Sequence, residues 1–184
     1  LLRRAQYVVE KLPGAPGTQL GLIYTQLSAV AMQRNKLAVA AEDGKKALDI
    51  LAHQKWPDER GIAAAQVNLA EVYLRAKRLK EADQLFSEAI PKERQLAPQT
   101  RLLADGIRRL ASLRAAQQRW REAQELLREA IGIYELRLGA DNPVLVPALR
   151  DYAEVLKHDG GSKAEIRDVQ TRARSILGFA PPHS

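Results

Sequence analysis

Three histidines, His53, His158 and His183, are the side chains of this sequence whose ordinary pKa lies near neutrality. Each could bind a metal or move a proton, but either task needs a second ligand or base at a matching spacing. None of the three has one, and no HExxH motif occurs. Cysteine is absent, which excludes disulfides, thiolate metal sites and a thiol nucleophile, and leaves the redox compartment open. No GxSxG elbow is present, and Asp159-Gly160-Gly161-Ser162 reads as a turn between helices, not as a phosphate loop. Carboxylate pairs are abundant, as they are on any helix surface. The chemistry on offer is recognition by charge and hydrogen bonding. No catalytic residue, metal or cofactor is expected, and the chain is not expected to be an enzyme.

The elements that would position these groups are helices. The chain has 184 residues, 46% hydrophobic and 28% charged, the balance of a folded domain or a short repeat array. Aromatics are only 5%, and alanine and leucine carry much of the apolar content, which favours close helix packing over a sheet core. The net charge is +7, a field that attracts nucleic acid, anionic surfaces or acidic peptides without choosing among them. No apolar run reaches the ~18–20 residues of a membrane-spanning helix, and no signal-peptide pattern is visible. Arginine outnumbers lysine by 19 to 10, a weak pointer to a GC-rich, bacterial genome.

A fixed period organises the whole chain. Ala5, Ala47, Ala89, Ala130 and Ala173 are spaced by 42, 42, 41 and 43 residues. Whole segments align with them: 69–90 with 110–131, and on the same plan 27–48 and 152–173, the last with one extra residue in its turn. Each unit predicts two amphipathic helices. Leu69, Val72, Tyr73 and Ala76 recur at helical spacing, as do Ala82, Leu85, Phe86, Ala89 and Ile90. Short polar turns such as Lys77-Arg78 join the two. Between units, Gly139 suits a helix end, Asp141 or Asn142 a cap, and Pro143 a first turn. The small residues allow helix axes to approach to ~8–10 Å. Tyr7, Tyr24, Tyr73, Tyr134 and Tyr152 fall on apolar stripes and are expected in the core.

These residues resemble a tetratricopeptide repeat protein. Leu69-Ala70, Tyr73, Ala82, Phe86 and Ala89 carry the match in one repeat, and Leu110-Ala111, Trp120, Glu122-Ala123, Leu127 and Ala130 carry it in the next. The family's usual repeat is shorter, ~34 residues. The longer period is similar to the kinesin-light-chain-type variant, whose repeats end like LxxLGxDxP, and 136–143 reads LRLGADNP. The resemblance implies an all-α, right-handed α-α superhelix of about four helix hairpins plus one N-terminal helix. One array is expected over 1–178. It comprises a second helix of a truncated or capping repeat at 1–12, hairpins at 18–54, 59–95, 99–138 and 143–177, and then a tail at 179–184. The first repeat departs from the pattern at Gly44 and the last at Ile166, so the outer repeats are expected to pack less tightly.

In this family the first helices of successive repeats line a groove that holds peptides. Carried over by position, the lining comprises Leu22, Thr25, Gln26, Ala29 and Gln33, then Ala64, Val67, Asn68, Glu71 and Arg75. It continues with Asp105, Arg108, Arg109, Ser112 and Ala116, then Arg150, Asp151, Glu154, Lys157 and His158. The resemblance implies that Asn68 bonds a ligand's backbone, since an amide donates and accepts at once. Arg75, Arg108, Arg109 and Arg150 would form a basic cluster for an acidic peptide, because a guanidinium fork fits a carboxylate. The opposing expectation is a set of solvated arginines paired with Glu71, Asp105, Asp151 and Glu154. The leading function is a scaffold for a peptide or partner domain. The alternatives are a regulatory or oligomerisation segment of a larger protein, and a nucleic-acid-binding module. An exposed first helix with Leu1, Leu2, Val8, Val9 and Leu12 is expected to pair two copies.

Overall fold

The structure is a computed structural model that describes Tyr7 and residues 17–178. The helix expected over 1–12, its dimerising face and the tail lie, apart from Tyr7 and residues up to Gly178, outside the described residues. Eight helices and no strand occur among the described residues. They are α1 (Gly17–Gln33), α2 (Leu37–Ala52), α3 (Glu59–Arg75), α4 (Leu79–Leu96), α5 (Arg101–Ala116), α6 (Trp120–Leu138), α7 (Leu145–His158) and α8 (Lys163–Ile176). The fold is all-α, as the periodicity predicts. The chain divides into two compact units, the first ending at Leu96 and the second starting at Ala97.

In the first unit α1 pairs with α2 and α3 with α4, while α3 also packs against both α1 and α2. In the second unit α5 pairs with α6 and α7 with α8, and α7 also packs against α5 and α6. The alanine ladder is the seam of this packing. Ala47, Ala89 and Ala130 are wholly buried, and Ala173 is buried too. Around them the larger side chains interlock. Leu51, Phe86 and Ile90 are buried in the first unit, and Ile107, Leu127, Tyr134, Leu145 and Leu156 in the second. Tyr24, Tyr73, Tyr134 and Tyr152 are in the core as expected, but Tyr7 is exposed.

Each hairpin turns by the same device. Asn35, Lys77, Gln118 and Gly160 adopt left-handed backbone, with φ of 57°, 60°, 61° and 78°. The next amide then reaches back to the preceding helix: Lys36 to Ala31 O at 2.9 Å, Arg78 to Tyr73 O, Arg119 to Arg114 O and Gly161 to Leu156 O, each at 2.8 Å. This satisfies carbonyls that a helix end would otherwise leave unpaired. The extra residue of the last repeat falls just after this turn. Ser162 there caps α8 by accepting from Glu165 N at 3.1 Å. Thr100 caps α5 in the same manner. Gly139 ends α6 at φ 91°, and Asn142 Oδ1 accepts from Val144 N at 3.0 Å ahead of α7.

The two departures from the repeat pattern have opposite outcomes. Gly44 stands where Phe86 and Leu127 stand in later repeats, yet the site is tight. A Cβ there would lie 3.0 Å from Leu69 Cδ1 and 3.2 Å from Ser28 Oγ. Ser28, buried in place of the usual alanine, donates to Ala40 O at 2.8 Å. Leu69 of α3 thus fills the space that a bulky residue at position 44 would take, which corrects the expectation of looser packing there. Ile166 stands only half-buried where Ala40, Ala82 and Ala123 are wholly buried, and in α8 only Ala173 is buried. The last hairpin is the looser one.

Candidate functional site

The first helix of each hairpin carries the expected ligand-facing residues. In the first unit α3 directs its side chains largely at its neighbours. Asn68 is buried, and its Nδ2 donates to Thr25 O at 2.9 Å, tying α3 to α1. The donor half of the amide, expected to meet a ligand backbone, thus meets a helix backbone; Oδ1 takes no part in that bond. Arg75 donates to Glu71 at 3.1 Å, one turn back on α3. Val67, expected on the open face, is buried, whereas Leu22, Gln26 and Gln33 of α1 are exposed.

The second unit joins the expected residues into a network. Arg108 of α5 donates to Asp151 of α7 at 2.8 Å. Burial works against the Arg108 charge, and the hydrogen bond and charge of Asp151 more than offset it, so its pKa is raised. Tyr134 of α6 is buried and donates from its hydroxyl to Asp105 at 2.5 Å. Burial, reinforced by that carboxylate, pushes the phenol pKa well above its ordinary value, so it is a fixed donor at any physiological pH. Asp105 also lies 3.8 Å from Arg101. Lys157 donates to Glu154 at 2.7 Å, and this hydrogen bond lowers the Glu154 pKa. Ser112 bonds back to Arg108 O at 3.2 Å. Arg109 is half-buried on α5, and Arg150 is exposed on α7 with no ion pair among the described residues.

Beside this network lies a cavity of about 290 Å³ between α5, α6 and α7. Ala111, Ala115, Leu127 and Val155 make its apolar walls, and Ser112, Asp151 and Glu154 its polar ones. Trp120 and His158 close one end with stacked rings, centroids 4.4 Å apart and planes 11° from parallel. The alanines leave the room, since larger side chains there would fill the space. Ser112, Asp151, Glu154 and His158, grouped by the repeat register, all line this cavity, and Trp120, which the register did not group with them, joins them. One signal was present: the indole stands where the preceding repeat has Leu79, and so large a ring at a hairpin turn has little interior to enter. Tyr134 is correctly placed in the core, but its bond to Asp105 has no signature in the sequence.

Among the described residues no three metal-capable side chains cluster, and no helix is long and apolar enough to cross a membrane.

Residues 104–144 match the family model of the tetratricopeptide repeat. No curated protein sequence matches the chain. Several solved structures share its fold. BtubC (BKLC) from P. vanneervenii superposes with a TM-score of 0.82 at 20% identity, over 100% of this chain and 74% of that one. The nearly identical TPR-like repeats of a Podosopora anserina protein named for kinesin light chain give 0.70 at 18% identity, over 96% and 84%. The apo form of RapI gives 0.78 at 13% identity, over 96% and 62%. Residues 104–144 thus carry a tetratricopeptide repeat, and the chain shares the fold of TPR-like repeat structures, among them one named for kinesin light chain.

Proposed function

We propose that the chain is a protein-interaction scaffold that holds an acidic peptide segment against the first helices of its hairpins, chiefly α5 and α7. One observation carries the reading: α5 bears Arg101, Arg108 and Arg109 against a single aspartate, its fourth arginine, Arg114, being turned to Glu122 of α6. On α7, Arg150 and Lys157 are exposed on the cavity-lining helix, next in sequence to Asp151 and His158 of its wall. The pairs already formed do not exclude a ligand. Exposed ion pairs are worth ~0–1 kcal/mol, so a peptide carboxylate can share or displace the partner of Lys157. Arg108, fixed by Asp151, serves as a positioned donor fork. Taken by itself, the first unit offers Glu71, Arg75 and the Asn68 Oδ1 as hydrogen-bonding groups for a peptide.

The test is anisotropy titration of a labelled glutamate-rich peptide against the same peptide with glutamine at each glutamate. The acidic peptide is expected to bind at least about tenfold more tightly, and Arg150→Glu with Lys157→Glu to abolish the difference. Equal affinity of the two peptides, or an unchanged difference in the double variant, would reject the acidic-peptide reading.

A further inference from the structure

A second cavity, sharing no lining residue with the first, opens between α6 and α8 and measures about 320 Å³. Its floor is α7, through the buried Leu149 and Tyr152. Its walls are Arg128, Ile131, Gly132 and Glu135 on α6, and Asp168, Val169 and Arg172 on α8. No Cα of α6 lies within 8 Å of one in α8, so the two helices stand apart over α7. Two ion pairs bridge the gap. Arg128 of α6 lies 3.8 Å from Glu165 of α8, and Arg172 of α8 lies 2.6 Å from Glu135 of α6. The bridges are seven residues apart on each helix, about 10 Å by helical rise.

Between the bridges the cleft is open. Gly132 supplies no side chain, and a Cβ added there would meet nothing within 4 Å. Both arginines of the bridges have further acceptors: Arg128 donates to Tyr152 Oη at 2.7 Å, and Arg172 to Ala140 O at 2.9 Å. Asp168 differs. Arg172, one turn further along α8, is its natural i,i+4 partner but is committed to Glu135 and Ala140. The Asp168 side chain makes no ion pair or hydrogen bond among the described residues.

We infer that this cleft receives a lysine or arginine side chain of a protein partner. A long apolar stem fits the floor and walls formed by Ile131, Leu149 and Val169, and a cationic head then reaches Asp168. A wholly apolar occupant would cover the Asp168 carboxylate without giving it a partner, which costs free energy. An acidic occupant would meet Asp168, whereas Arg128 and Arg172 in the same lining are already neutralised by Glu165 and Glu135. A cationic side chain satisfies both the apolar walls and the carboxylate, and the cleft is short enough to hold one such chain.

Nitrogen-resolved NMR on the full chain tests this with N-acetyl-lysinamide and N-acetyl-argininamide as probes. N-acetyl-norleucinamide is the control, with a similar apolar stem and no charge. The cationic probes are expected to shift the Gly132 and Val169 amide signals saturably and to bind several-fold more tightly than the control. Asp168→Asn should weaken them about tenfold, and Gly132→Leu should block both classes. Asp168→Asn alters one exposed side chain, so it remains informative if Gly132→Leu perturbs the fold. Equal binding of norleucinamide, an unchanged affinity in Asp168→Asn, or the absence of any saturable shift would overturn the inference. Titration of the acidic peptide against the same two variants keeps this surface distinct from the α5–α7 site, because its binding should be unaffected.

Discussion

Glu93 of α4 is only 1% exposed, and neither carboxylate oxygen has a hydrogen-bond partner among the described residues. Burial raises its pKa, and the charge of Arg60 only partly opposes this. The folded state therefore holds the Glu93 proton more tightly than the unfolded state does. The penalty is absent below the unfolded pKa, grows as pH rises towards the folded one, and is complete above it. Glu93→Gln is expected to stabilise the protein by about 1–2 kcal/mol at neutral pH and by little in acid, as urea denaturation at two pH values would show. Tyr134→Phe should do the reverse. It removes the bond to Asp105 and should cost about 1–2 kcal/mol with no change in helix content, readable by the same denaturation. The core position of Tyr134 was legible because its stripe is apolar. The bond was not, since Asp105 lies 29 residues away and only the folded hairpin brings the two together.

At the scale of the helix pair, the turns matter as much as the packed faces. Three of the four left-handed turn positions hold Asn35, Lys77 and Gln118, residues that are strained in a conformation glycine adopts freely. Gln118→Gly is expected to raise stability by about 0.5–1 kcal/mol, measured as a shift in thermal midpoint. At the seam, Ala47→Leu should cost about 1–3 kcal/mol, since Tyr24 and Leu27 already pack against that position, and thermal melting would reveal it. The helices and their pairing were readable because the period repeats the same small and large residues at fixed offsets. The handed turns were not, because three of those places hold asparagine, lysine and glutamine in place of the glycine that marks left-handed backbone. Gly44 misled for a related reason. Its space is filled by Leu69 from the next helix pair, and a pattern read within one repeat does not see a neighbour reach across.

At the scale of the whole molecule, the +7 charge sets how partners approach more than how tightly they stay. Affinity for the acidic peptide is expected to fall as salt rises, whereas binding of the cationic probes in the α6–α8 cleft should depend on salt less, being shared with apolar contact. Titrations at low and moderate salt compare the two directly. The register grouped Ser112, Asp151, Glu154 and His158, and all four line the cavity between α5, α6 and α7. The cleft between α6 and α8 was not legible, because it depends on Gly132 leaving a gap that only the neighbouring helices define. The two tryptophans have one more consequence. Trp56 lies in the first unit, 79% exposed, and Trp120 lies in the second, half-buried against the His158 ring. Each half of the chain thus carries its own fluorophore, one bathed in water with emission shifted to longer wavelength, the other shielded and open to quenching by its ring neighbour. With Trp56→Phe, emission reports the second half alone, and a melt followed by light would tell whether the halves lose their structure together or in turn.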